Sequence, residues 1–517
     1  MTDPLLASYE AVPYDSRPIG ASEIGALETI ALLHGLVAPP ADRARVLELG
    51  CASGGNLIPM AYRYRDASFV GIDLTPGQIA LGCADVAALD LTNITLRAMS
   101  ITDIADDLGV FDYIICHGVY SWVPSDVQAA ILRVASRNLS PNGVAYISYN
   151  TLPGWHVRGM VREMVMYHDD PSLAAHVRVA RANALVEMLA SKGATPKTLH
   201  TMSLMEEGIN LASQTEAHVL HEQLEPFNSP VYVSEFIRRA AASGLRYVSE
   251  AKIGDSATRP PAWARELANG DALRAQQYLD FATGRTFRRS LLCHADIATL
   301  PEPNVECMPA LHVTLQAEPT SPAKHDSANG ANVEAFKSAT DATMTTNNPL
   351  VLAAFHVLMR VAPATLAFDD VLQRANDRLS VDEPAGLPAP ADRAGPLSSA
   401  LLQCALGGFV DLHKYPSSFA RTVATRPVAS RIARGMVAST PFVTNLRHAV
   451  TELTGLERAL LRDLDGTNDR DSLVDHMIRR IDRGEIAVEG ALPERAQLAA
   501  IIDAALARLA AVALLEA

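Results

Sequence analysis

Val46-Leu-Glu-Leu-Gly-Cys-Ala-Ser-Gly-Gly-Asn56 is the stretch on which the fold turns. An apolar, strand-like run enters a glycine-rich turn that leads into helical spacing over 56–64. Glycine suits such a turn because it tolerates positive φ and lets a bulky ligand approach the backbone. Three ligand readings compete with a plain strand-to-helix turn. A phosphate-binding loop needs Gly-Lys-Ser/Thr, and no lysine follows. A dinucleotide fingerprint needs G-x-G-x-x-G, whereas Gly50, Gly54 and Gly55 give G-x-x-x-G-G. The third is an S-adenosylmethionine loop, with Glu48 as the acidic residue near the strand end.

Working outward, apolar runs alternate with helical spacing from 45 to 149. The runs are Arg45-Val-Leu-Glu-Leu49, Phe69-Val-Gly-Ile-Asp73, Ile94-Thr-Leu-Arg-Ala98, Phe111-Asp-Tyr-Ile-Ile115 and Val144-Ala-Tyr-Ile-Ser-Tyr149. Helical stretches at 56–64, 76–89 and 126–139 lie between them. Strand and helix in alternation predict a mostly parallel sheet covered on both faces, an α/β Rossmann-like fold. From 156 to 220 only helical spacing is present, which reads as an insertion. The strand-like Arg246-Tyr-Val-Ser-Glu-Ala-Lys252 and the run from Phe287 to Cys293 are read as returning to the first sheet. Residues 318–346, rich in Pro, Ser, Asn and Gly, read as a linker. Residues 347–517 read as one mostly helical C-terminal domain.

The chain has 517 residues, which at about 150 residues per domain suggests roughly three domains. Lys plus Arg number 44 against 58 Asp plus Glu, a net charge of −14. That balance argues against nucleic acid and favours a neutral or basic partner. The 426–434 run, Arg426-Pro-Val-Ala-Ser-Arg-Ile-Ala-Arg434, reads as a solvated helix face rather than a phosphate track. Six scattered cysteines with no CxxC pair read as reduced thiols, and no leader or membrane-spanning run is apparent, so a cytoplasmic protein is expected. No metal site is indicated. Cys293-His294 are adjacent and read as strand residues.

Ligands of open α/β sheets sit beyond the carboxyl ends of the strands, and the candidate residues cluster there. Asp73 ends the second strand 25 residues after Glu48 and can accept hydrogen bonds from both ribose hydroxyls. NAD enzymes use such a residue too, so Asp73 supports adenosyl binding without settling the cofactor. An acid at the helix start before Pro76 is the plainer alternative. Ser100 and Ile101 stand where an adenine ring would be edged and covered, while Asp103 reads as capping the following turn. Cys116-His-Gly-Val-Tyr-Ser-Trp-Val-Pro124 presents His117, Tyr120 and Trp122, the aromatic rings able to hold a cation. Packing at a strand–helix corner explains Tyr120 and Trp122 equally well. In Tyr149-Asn-Thr-Leu-Pro-Gly-Trp-His156, Asn150 can orient a nucleophilic amine and Trp155 can wall the pocket.

These residues resemble the class I S-adenosylmethionine-dependent methyltransferases. They resemble more narrowly the family with a methyltransferase regulatory domain, which includes rickettsial protein-lysine methyltransferases of outer-membrane protein. Leu47-Glu-Leu-Gly-Cys-Ala-Ser-Gly-Gly-Asn-Leu-Ile-Pro59, Val70-Gly-Ile-Asp-Leu74, the 111–124 and 148–155 segments, His221-Glu-Gln-Leu-Glu-Pro-Phe-Asn-Ser-Pro-Val-Tyr232 and Phe287-Arg-Arg-Ser-Leu-Leu-Cys-His294 carry the resemblance. The 456–473 stretch, with Asp465-Gly-Thr-Asn-Asp-Arg470, resembles the family's winged-helix-like last domain. The resemblance implies a cofactor-binding core over 1–155, a regulatory segment over 221–300 that completes the sheet, and S-adenosyl-L-methionine as cofactor. It implies cofactor contacts from Glu48, Gly50, Ala52, Gly54, Asn56, Asp73, Leu74, Ser100, Ile101 and His117. Tyr9-Glu-Ala-Val-Pro-Tyr-Asp-Ser-Arg-Pro18 matches a segment that closes over the methionine end, with Tyr14 as a lid. The leading acceptor is a protein or peptide lysine, with Tyr120, Trp122, Asn150 and Trp155 as its wall. A small-metabolite N- or O-methyltransferase, with His117 or His156 as base, and a cofactor-binding scaffold without turnover stay open beside it.

Overall fold

The computed structural model describes residues 6, 9–10, 12–105, 108–192, 198–254, 259–320, 324–326, 331–380, 387–486 and 494–517. Seven strands form the central sheet: β1 (Arg45–Leu49), β2 (Ser68–Asp73), β3 (Ile94–Ala98), β4 (Phe111–Cys116), β5 (Leu139–Asn150), β6 (Leu245–Glu250) and β7 (Phe287–His294). Their spatial order is β3-β2-β1-β4-β5-β7-β6. The first five pair in parallel, and β7 runs antiparallel to both β5 and β6. The two late strands therefore do return to the first sheet. Because the strand order reverses between β1 and β4, the chain parts there at the strands' carboxyl edge, the usual ligand crevice of such sheets.

Parallel strands with helices on both faces must be apolar on both sides, and β1 is: Val46, Leu47 and Leu49 are all fully buried. One face packs Val46, Ile115, Tyr146 and Leu291 against the helix Ile24–Leu33 and the helix Leu57–Arg63. The other packs Ile114, Ile147 and Tyr149 against the helices Ser125–Arg137 and Val233–Ala242. The insertion supplies the helices Trp155–His168, Ala175–Lys192, Leu199–Ala212 and Glu216–Gln223, which bury a small core of their own around Val161, Val186 and Leu220. Among the described residues no helix is long and apolar enough to cross a membrane.

The stretch 318–346 corrects the sequence reading. It is not a linker: strands Ala317–Pro319, Lys324–Asp326, Ala331–Ser338 and Thr343–Thr346 pair antiparallel, although 321–323 and 327–330 lie outside the described residues. Phe336 anchors the strands, fully buried and edge-on to Phe355 at 4.9 Å between ring centres.

The remainder is also two units rather than one helical module. One core gathers Met308, Val313, Phe336, Phe355, Val371, Leu401 and Val410, with strands His312–Leu315, Leu366–Ala367 and Val410–His413 under three helices. The other, between 429 and 515, joins the hairpin Phe442–Thr444/Val450–Glu452 to the helices Gly455–Arg462, Arg470–Asp482 and Arg495–Ala511. This last unit docks on the first sheet's flank, where Arg431 pairs with Asp90 at 2.9 Å and the Tyr62 hydroxyl donates to Glu516.

If 318–346 is packed structure, Phe336→Ala should lower the stability of its unit by about 3–5 kcal/mol, the cost of emptying a core aromatic site. Urea unfolding followed by fluorescence measures it. A change within about 0.5 kcal/mol, as for an exposed connector residue, would contradict it.

Candidate active site

The glycine turn leaves β1 through three residues in the left-handed region, Gly50 (φ +73°), Ala52 (+48°) and Gly54 (+79°). Close approach adds to the demand for glycine. A Cβ on Gly50 would stand 2.5 Å from Val119, and one on Gly55 would stand 2.4 Å from the Ser16 carbonyl oxygen. Asp73, at the end of β2, ties down the turn: its Oδ2 accepts from Ala52 N–H at 2.8 Å and its Oδ1 from Thr75 N–H at 2.9 Å. Each carboxylate oxygen keeps a second lone pair for a ligand. Leu74 follows it, half-buried.

Glu48 is buried beneath this turn. Its Oε1 accepts from Asn56 Nδ2 at 2.7 Å, while its buried Oε2 has no partner among the described residues. Burial pushes the carboxyl pKa up to about 7; the Asn56 hydrogen bond opposes the shift and the Asp73 charge adds to it. A cation placed here would relieve an acid that is otherwise costly to ionise. Asn56, read from sequence as a cofactor contact, instead has both ends of its carboxamide bound inside the protein. Nδ2 donates to Glu48 and Ser22, and Oδ1 accepts from Ile19 N–H at 2.9 Å and from the ring of His448 at 2.8 Å.

The N-terminal segment lies across the turn, since Gly55 N–H donates to Ser16 Oγ at 2.7 Å and Gln78 Nε2 donates to the Tyr14 carbonyl at 3.0 Å. Tyr14 is more than one-third exposed, its hydroxyl 3.4 Å from His218 Nδ1 on the helical insertion. At the end of β3, Ser100 rather than Asp103 caps the turn Ile101–Asp103, accepting from Thr102 N–H at 3.2 Å. The short Ser side chain at the N-cap reaches that N–H, whereas Asp103 already sits inside the turn. Ile101 is half-buried beside it.

His117 follows β4 with Nδ1 2.8 Å from the Tyr146 hydroxyl and the ring edge-on to Phe287. Burial, helped by the Arg289 charge, pushes its pKa down to about 3, so the ring is neutral. Trp122 and Trp155 meet edge to face at 5.8 Å, both buried, and the Trp155 Nε1 has no partner among the described residues. Asn150 ends β5 beside them with Nδ2 3.5 Å from Asn228 Oδ1. Tyr120 does not join this wall. It is fully buried on the sheet's other face, edge-on to Phe236 at 5.3 Å and to Tyr149 at 6.3 Å, so it is a core residue. His156 is exposed on the helix beyond, 3.5 Å from the Tyr232 hydroxyl.

Sequence reasoning missed Tyr146, Phe287 and Arg289 around His117, Asn228 beside Asn150, and His448. Asn228 lies in the Pro-Phe-Asn-Ser-Pro run already singled out, and its backbone neighbour Ser229 donates to the Ser121 carbonyl at 2.8 Å. No local pattern marks His448.

Three family models match the chain: a methyltransferase domain over 46–143, a predicted methyltransferase regulatory domain over 215–294, and the PKMT C-terminal winged helix domain over 425–514. An uncharacterized protein of Rickettsia prowazekii is 34% identical over 490 residues, which are 93% of this chain and 87% of that protein. The chain belongs to the class I S-adenosylmethionine-dependent methyltransferases with a regulatory domain. PKMT2 from Rickettsia typhi superposes on this methyltransferase with a TM-score of 0.85 at 26% identity, covering 97% of this chain and 100% of that one. A second structure of PKMT2, in complex with AdoHcy, matches with the same TM-score at 27% identity. The cofactor of this methyltransferase is S-adenosylmethionine, and its positive charge suits the unpartnered oxygen of Glu48.

Raised above its unfolded value, the Glu48 pKa gives a stability contribution that is present below about pH 4.5 and lost as the pH rises through 7. A bound cation favours the ionised form, so cofactor affinity should tighten about tenfold between about pH 6 and 8 relative to Glu48→Gln. Calorimetric titration of both proteins measures this. Parallel pH profiles would contradict it.

Proposed function

We propose that this methyltransferase methylates lysine amines of a protein or peptide. The observation that carries the reading is the acceptor side of the site. It offers aromatic walls and a hydrogen-bonded histidine, His117, that burial keeps neutral. A hydroxyl acceptor would need a base near neutral pKa, and His117 is pushed far below that range. An amine needs none once it arrives neutral. The cofactor, when bound, supplies a methyl group on a positively charged sulfur.

The chain's own residues then have distinct tasks. Gly50, Ala52 and Gly54 let the backbone approach the cofactor, Glu48 faces its cationic end, and Asp73 with Leu74 holds the ribose. Ser100 and Ile101 border the adenine, and Ser16 with Tyr14 covers the cleft. Trp122 and Trp155 line the acceptor side, where desolvation lowers a lysine pKa from its usual value of about 10.4. Asn150 orients the amine through its amide oxygen. His117 fills the space next to the reacting groups without adding a positive charge. The protein's net charge of −14 favours a basic acceptor. The similarity to PKMT2, and to the PKMT winged helix domain, supports the same class of acceptor.

The test is transfer of radiolabelled methyl from S-adenosylmethionine to a cell lysate, resolved into protein, peptide and small-molecule fractions, with amino-acid analysis of the label. Label recovered as methyl-lysine in protein or peptide is expected. Label confined to small molecules would overturn the lysine reading, and no label in any fraction would favour a non-catalytic role. In the same assay Asp73→Ala should weaken cofactor binding by about 10- to 100-fold, the loss of charge-assisted hydrogen bonds. Unchanged binding would remove Asp73 from the ribose role.

A further inference from the structure

The last domain sends the side chain of His448 into the cofactor half of the molecule. His448 stands in the turn of the hairpin Phe442–Thr444/Val450–Glu452, buried, with φ at +57°. Histidine is among the non-glycine residues that accept this left-handed conformation. The turn is held firmly. Asn445 Oδ1 accepts from Arg447 and Ala449 N–H at 2.9 and 3.0 Å, and Leu446 N–H donates to the Ala513 carbonyl at 2.9 Å.

The bond His448 makes can be assigned atom by atom. Ile19 N–H can only donate, so the Asn56 atom it meets is the oxygen Oδ1. The opposite end, Nδ2, then faces the Glu48 oxygen and Ser22 Oγ, as required of a donor. His448 Nε2 lies 2.8 Å from that same Oδ1 and must therefore carry its hydrogen toward it. Burial, with Glu23 and Arg63 as the charged groups that act on it, lowers the imidazole pKa to about 4, which leaves a neutral ring with its hydrogen on Nε2. A side chain 392 residues away in sequence thus fixes the amide that fixes Glu48.

We infer that His448 is a positioning residue for cofactor binding: the C-terminal winged-helix domain completes the S-adenosylmethionine loop through the chain His448–Asn56–Glu48. Docking of that domain and filling of the cofactor site are then linked, and the linkage is reciprocal. Whatever loosens the domain loosens the loop, and cofactor binding tightens the domain. The inference rests on the cofactor reading and not on the identity of the acceptor.

Two amide substitutions in the full-length protein test it. Gln places an N–H where His448 has Nε2, whereas Asn keeps the tolerance for positive φ but is too short to reach Asn56. Calorimetric titration with S-adenosylmethionine, at a temperature well below each variant's own unliganded Tm, should show His448→Asn weaker by about fivefold and His448→Gln within about twofold of the parent, the scale of one buried hydrogen bond. A His448→Asn variant that binds as tightly as the parent, or a His448→Gln variant as weak as His448→Asn, would overturn the inference. Failure of methyl transfer to lysine would leave these affinities unaffected, and unchanged affinities would leave the lysine reading standing.

Discussion

The carboxamide of Asn56 is the point on which the functional half of this molecule depends. It joins the acidic residue of the first strand, the N-terminal segment and the C-terminal hairpin within one buried cluster, through bonds of 2.7 to 2.9 Å to Glu48, Ile19 and His448. A buried polar group left without partners is costly, so each of these segments is held by the demand of the others. The glycine turn between Gly50 and Gly54 is thereby fixed from beneath by side chains, and from above by Ser16 and Asp73.

Electrostatics follows from the same burial. Glu48 resists ionisation in the absence of a cation, and His117 resists protonation. A positively charged cofactor offsets the first bias by favouring the ionised carboxylate, and it is not repelled by the neutral ring. A second buried cluster does the structural work on the sheet's far side. There Arg288, fully buried in β7, bridges Asp280 at 2.7 Å and Glu250 at 2.8 Å and so ties the late strands to the helix Ala272–Thr283. Buried charges of this kind are tolerable only when paired on every side.

Much of this was legible in the sequence. β1 and β3 lie where their apolar runs predicted, because parallel strands buried on both faces leave continuous apolar runs, whereas β5 begins at Leu139, well before the run read from 144. Gly50, Gly54 and Asp73 were legible because positive φ and a strand-end carboxylate are local requirements. Tyr120 was not, since an aromatic residue at a strand–helix corner reads alike whether it lines a pocket or fills the core. The strands of 318–346 escaped notice because three of them are only three or four residues long and the fourth, Ala331–Ser338, has few large apolar residues besides Phe336. Asn56 and His448 were illegible for a different reason. Their roles arise from contacts between segments far apart in sequence, which no local period encodes.

The central claim is that the cofactor turn, the N-terminal segment and the C-terminal hairpin are one cooperative unit held at Asn56. Amide hydrogen exchange on the full-length protein and on Asn56→Ala tests it most directly. The account predicts that the substitution speeds exchange together in residues 16–22, in 50–56 and in 445–450. Faster exchange confined to 50–56, with the hairpin as protected as before, would contradict it.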